Sequence, residues 1–176
     1  MKKTLLILIC LSIGFYACDD IPVNDNTPIN TQNIVLDFFK GNLDDAKQIH
    51  TVDVTSTVWV YGDLGTYIQI SPCSFLDADG NEVTGEIEFE LIEAQTNIDM
   101  LKLNRPTFTS DGQLLVSGGI LYVNATQNGE ALSINPNCGL QANMPNPSNN
   151  AFDGEMRYFS GDENEDGIFG WEEEDD

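Results

Sequence analysis

Hydrophobic and polar positions alternate in short bursts along most of this chain, and turn-forming residues separate the bursts. The clearest burst is Glu86-Ile87-Glu88-Phe89-Glu90-Leu91, where every second residue is apolar. A strand sends successive side chains to opposite faces. This spacing therefore predicts a half-buried strand, with Ile87, Phe89 and Leu91 on a core and three glutamates in water. Residues 34–39, 57–61, 67–70 and 119–125 are rich in β-branched and aromatic side chains and predict further strands. Asp79-Gly80-Asn81, Asp111-Gly112 and Asn128-Gly129 lie between such runs, where glycine accepts positive φ and closes a hairpin. The fold class expected is all-β, a single antiparallel β-sandwich over residues 34–176 that ends in an acidic tail. Those residues suffice for one core. Residues 135–150, rich in Pro and Asn, read as a long loop.

The beginning of the chain has a different texture. Lys2 and Lys3 precede an apolar run over residues 4–13, and a small residue, Ala17, stands directly before Cys18. A bilayer needs about 20 apolar residues, so the run predicts a cleaved secretory segment over residues 1–17. Residues 19–33 are polar, carry Pro22 and Pro28, and show no apolar period. They predict a flexible tether of up to about 50 Å.

The Phe15-Tyr16-Ala17-Cys18 segment resembles the lipobox of bacterial lipoproteins, with Phe15 in place of the usual Leu and Tyr16 larger than normal. That resemblance implies that Cys18 becomes the mature N-terminus and carries acyl chains (palmitate-type). Each buried methylene contributes about 0.8 kcal/mol, so several chains on one residue anchor firmly. Asp19 and Asp20 resemble a surface-export signal of Bacteroidota lipoproteins, and a lipid-anchored, surface-exposed location on the cell outer membrane is expected. The body shows a second likeness in Gly65-Thr66-x-Ile68-x-Ile70-x-Pro72, Asp79-Gly80-Asn81-x-Val83-x-Gly85, Glu90-Leu91-Ile92-Glu93, Ser117-Gly118-Gly119 and the closing Phe159 and Trp171. These residues resemble a β-sandwich module of Bacteroidota-type envelope lipoproteins, and the opening run faintly resembles ZU5-type modules. The family supplies no catalytic residues to carry over. Cys73 departs from it, standing where the module has a small or polar residue.

Charge narrows the partners. The chain holds 7 basic and 29 acidic residues, a net charge of −22. Loss of residues 1–17 takes two lysines and no acid, leaving −24. Such a body is repelled by phosphate backbones and anionic headgroups, so nucleic acid is excluded as a partner and the membrane contact falls to the lipid. Divalent cations, basic protein patches and neutral ligands remain, with an envelope protein or a glycan as the partner classes expected. Of the four cysteines, Cys10 leaves with the signal and Cys18 is the acylation site. Cys73 and Cys138 either form one bridge, in an oxidising compartment, or stay as two separate buried thiols.

Candidate chemistry is sparse. Residues 162–173 fit the calcium-loop pattern, with Asp162, Asn164, Asp166, the Ile168 carbonyl and Glu173 as oxygen ligands for Ca²⁺. The strand-like residues before this segment argue for an acidic hairpin turn instead. His50 is the single histidine, so neither a Ser-His-Asp triad nor an HExxH zinc site can be built. Glu86, Glu88 and Glu90 stand about 6.6 Å apart along a strand, the spacing of a solvated face. A two-carboxylate glycosidase lacks any signal for an aromatic-lined cleft. The expectation is a non-enzymatic binding or structural module, with a calcium-dependent adhesion or glycan-binding module, or an accessory subunit of an outer-membrane complex, as alternatives.

Overall fold

The computed structural model describes residues 31–145, 154–163 and 169–174. In chain order these form α1 (Thr31–Ala46), β1 (Gln48–Asp53), β2 (Val58–Tyr61), β3 (Tyr67–Ile70), β4 (Phe75–Leu76) and β5 (Glu86–Ala94). Then follow α2 (Asn97–Lys102), β6 (Ile120–Gln127), β7 (Glu130–Ala131), β8 (Ser133–Ile134), β9 (Gln141–Asn143), β10 (Phe159–Glu163) and β11 (Phe169–Glu173). The strands pair antiparallel in ladders β1-β5-β6-β7, β2-β3-β9, β4-β8 and β10-β11. The all-β class expected from alternation is what the chain adopts. Its strands are shared among four ladders, where two facing sheets were expected.

The long central strand β5 behaves as its sequence dictates. Ile87, Phe89 and Leu91 are buried while Glu86 and Glu88 are exposed. These three apolar residues join Val60, Ile68 and Ile70 from the β2-β3 ladder, Phe75 from β4 and Ala125 from β6 in one buried cluster. Burial of each large aliphatic or aromatic side chain contributes about 1.5–3 kcal/mol, so this cluster is the main stabilising element. A smaller cluster of Ile92, Ala94, Met100 and Leu103 forms under the helices. The three expected turns occur where glycine was needed. Asn128 and Gly129 both take positive φ (53° and 85°) in the β6–β7 hairpin, as a type I′ turn requires.

Three segments depart from expectation. Residues 34–39, read as a strand, lie inside α1. Short apolar runs do not distinguish strand from helix. The deciding spacing lies downstream, where Phe39, Asn42, Leu43 and Ala46 turn inward at intervals of three or four residues. Leu43 and Ala46 pack on the smaller cluster, whereas Ile34, Val35, Leu36 and Phe38 stay more than half exposed. The helix α2 was not anticipated, although its signal is present. Thr96 accepts from the Asp99 N–H at 3.2 Å, and the Asp99 carboxylate accepts from the Thr96 N–H at 3.1 Å, forming a capping box. Finally, the 135–150 loop contains a strand, β9, which pairs with β3. Residues 146–150 of that loop lie outside the described residues.

Candidate binding site

The hairpin β2–β3 is built from a strict two-residue period. Val60, Ile68 and Ile70 point inward and are buried, and Val58 packs against the same core. Trp59, Tyr61 and Tyr67 consequently point outward, at 45%, 68% and 38% exposure. Register then fixes which outward residues are neighbours. Trp59 pairs with Gln69 and Gln69 with Gln141; Tyr61 pairs with Tyr67 and Tyr67 with Asn143. The outer face of the β2-β3-β9 ladder therefore carries two transverse rows, Trp59-Gln69-Gln141 and Tyr61-Tyr67-Asn143. None of the six side chains is charged. The Trp59 and Tyr67 ring centroids lie 5.8 Å apart, with the rings tilted by 53°.

Both ends of this face are fastened. At one end, every N–H of the connecting turn is satisfied. Gly62 donates to the Thr66 carbonyl at 2.8 Å and Gly65 to that of Gly62 at 3.0 Å. Asp63 donates to Gln48 Oε1 at 2.9 Å. Leu64 and Thr66 donate to the two oxygens of Glu93, at 3.0 and 3.1 Å. Glu93 comes from β5, is 6% exposed, and also accepts from Gln48 Nε2 at 2.9 Å. Burial pushes its carboxyl up, but the Leu64 N–H, the Thr66 hydroxyl, the Gln48 amide and the Thr66 N–H together hold it below the usual carboxylate value. The Thr66 hydroxyl is buried and finds no partner at full hydrogen-bond geometry among the described residues. Gly62 is required by closeness: a Cβ there would stand 2.2 Å from Glu93 Oε2.

At the other end, Cys73 and Cys138 are bonded, with Cα atoms 5.8 Å apart. Of the two states left open by the sequence, the bridge is therefore the one adopted. Cys73 follows β3 and Cys138 precedes β9, so the bridge sits beside the pairing of these strands. Asn135 Nδ2 donates to the Cys73 carbonyl at 2.8 Å, and Ser74 Oγ donates to the Gly139 carbonyl at 2.7 Å. Both bonds hold the same junction closed.

The remaining sequence-derived positions are dispersed. Cys18 lies outside the described residues, as do Asn164, Asp166 and Ile168. Asp162 stands opposite Gly170 in the β10–β11 hairpin, and Glu173 stands opposite Phe159 at its far end. Glu173 Oε1 lies 3.8 Å from Arg157 Nε. No group of three metal-ligating side chains occurs among the described residues. His50 is half-buried in β1, with its Nε2 buried and without a hydrogen-bond partner. One concavity of about 360 Å³ lies between α1, β5 and the β10–β11 hairpin, lined by Lys40, Lys47, Glu90, Arg105, Tyr122 and Trp171 among others. Two of its cations, Lys47 and Arg105, are engaged by the protein itself. Lys47 lies 3.2 Å from Asp44 and 3.9 Å from Glu90, contacts that hold its ammonium above its usual value. The Arg105 guanidinium stacks 4.4 Å over the Phe169 ring.

Compared with protein-family models, curated proteins and solved structures, the chain gives no match. The aromatic face was not recognised as a site from sequence, although its signal is there. In Val58-Trp59-Val60-Tyr61 the two valines and the two aromatics fall on opposite sides of a strand. Which pair faces water is decided by the partner sheet. Glu93 gave no such signal, because its role depends on a turn 27–29 residues earlier in the chain.

Proposed function

We propose that this protein is a lipid-anchored, non-enzymatic module of the outer cell envelope that binds a partner through the outer face of the β2-β3-β9 ladder. The observation that carries the reading is the set of three exposed aromatic rings on a chain of charge −22. Exposed large apolar groups gathered on one face are informative where single ones are not. This face offers π-surfaces and amides, with no acid–base pair and no nucleophile of raised reactivity, so its chemistry is recognition. Anchoring is supported by Lys2, Lys3, the apolar residues 4–13 and the Ala17-Cys18 junction. The tether expected over residues 19–33 is cut short by α1, which begins at Thr31; a tether over residues 19–30 would still let the body meet partners away from the headgroups.

Two measurements in the native host test this. Membrane fractionation of wild type and Cys18→Ala should move the protein from the membrane to the soluble fraction; a membrane-bound Cys18→Ala protein contradicts the anchor. Crosslinking in intact cells should capture a partner in wild type and lose it in Trp59→Ala. Unchanged capture by Trp59→Ala contradicts the assignment of the face.

A further inference from the structure

We propose that the outer face of the β2-β3-β9 ladder takes a neutral polysaccharide chain, with pyranose rings stacked on Trp59, Tyr61 and Tyr67 and hydroxyls bonded by Gln69, Gln141 and Asn143. The inference rests on the binding role proposed above and assigns the chemical class of the partner.

Four observations lead to it. First, Trp59, Tyr61 and Tyr67 are 45%, 68% and 38% exposed; an aromatic face carries a negative quadrupole and the C–H side of a sugar ring is polarised positive, so the two attract in the way aromatic edges and faces do. Second, the flanking side chains are all amides. An amide supplies both donors and acceptors, as sugar hydroxyls demand, and none of these three side chains makes a hydrogen bond among the described residues. Third, the two rings of Trp59 and Tyr67 are tilted by 53° over a centroid distance of 5.8 Å. One flat ligand cannot lie on both, whereas successive units of a chain that turns between linkages can. Fourth, charge excludes the competitors. The six residues are neutral on a mature body of −24, so a polyanion is repelled and a cationic partner finds no anchor on the face itself.

Size decides against a second copy of this chain. Strands spaced about 4.8 Å with a rise of about 3.4 Å per residue give this face a flat footprint on the order of 200 Å², and its six side chains together present on the order of 500 Å² of accessible surface. A stable protein interface buries about 800 Å² per partner, and two mature copies carrying −24 each also repel one another. A sugar chain, bound along a shallow strip, needs no such area.

The test uses the full mature protein in detergent, run on native gels cast with mixed-linkage β-glucan, xyloglucan, galactomannan or dextran, with polygalacturonate as the anionic control. At least one neutral polymer should retard wild type while polygalacturonate does not. Trp59→Ala and Tyr67→Ala should each weaken that retardation about tenfold, the size expected for loss of one stacking ring, with the protein still folding cooperatively and its melting temperature lowered only by the few degrees that loss of their mutual ring contact implies. Equal retardation of Trp59→Ala and wild type overturns the inference. So does absence of retardation by every neutral polymer. If that absence coincides with crosslinked capture of a protein lost in Trp59→Ala, the face docks a protein, and only the glycan assignment falls. If Cys18→Ala stays on the membrane while the gels show retardation, the anchor falls and the glycan assignment stands.

Discussion

Removing the Glu93 carboxylate should unfasten the turn that carries the aromatic face. In Glu93→Ala the Leu64 and Thr66 N–H groups and the Gln48 amide lose their acceptor. Hydrogen bonds to charged groups contribute about 1.5–3 kcal/mol each, and a buried donor left unpaired costs about 1–3 kcal/mol. Water entering the vacated space recovers part of this, so the expected loss is about 4 kcal/mol, a large share of the 5–15 kcal/mol typical of a domain. Glu93→Gln keeps the volume and one acceptor and should lose about half as much. The assay is equilibrium urea unfolding, with the loss read from the midpoint at constant slope. Gly62→Ala supplies an independent check, because its Cβ would meet Glu93 Oε2 at 2.2 Å. It should destabilise wild type but cost much less in a Glu93→Ala background, giving a coupling energy in the double-mutant cycle. The pH dependence follows from the depressed carboxyl. Its contribution is fully present above the ordinary value of 4.5 and is lost as pH falls through the lower folded value, so the gap between wild type and Glu93→Gln should shrink in that acidic window. A loss under about 1 kcal/mol in Glu93→Ala, or additive Gly62→Ala and Glu93→Ala effects, would refute the clamp.

Other consequences can be measured on the same material. Reduction of the Cys73–Cys138 bridge, which closes a separation of 65 residues, should lower stability by about 4 kcal/mol; two free thiols on the unreduced, denatured protein would contradict the bridge. Phe89→Ala, at the fully buried centre of the main cluster, should cost about 3–5 kcal/mol in the same unfolding assay. Gly129→Ala should cost about 1 kcal/mol through its φ of +85° alone, since nothing lies within 4 Å of the added Cβ; a neutral outcome by thermal unfolding would count against the type I′ turn.

Period-two patterning made β5 legible because one of its faces meets the core and the other meets water. Turn residues were legible for the same local reason, as Asn128-Gly129 needs no distant partner to prefer positive φ. The misreadings fall where tertiary structure decides. Residues 34–39 hold β-branched and aromatic side chains, yet they belong to α1 because inward positions recur further along at helical spacing. Strand β9 is Gln141-Ala142-Asn143, exposed throughout and poor in strand formers, and it exists through its pairing with β3 beside the disulfide. The candidate site divides along the same line. Trp59 and Tyr61 were visible as outward or inward partners of two valines, while Gln141, Asn143 and Glu93 joined the site through register and a long-range clamp.

The chain has two tryptophans, Trp59 and Trp171, so Trp171→Phe leaves the face with its own reporter. Titrating that variant with oligosaccharides of the neutral polymer that retards wild type should shift Trp59 emission saturably and protect it from acrylamide quenching. Emission and quenching that stay unchanged to saturation of the gel-shift signal, in a variant with wild-type unfolding behaviour, would contradict a sugar seated on this face.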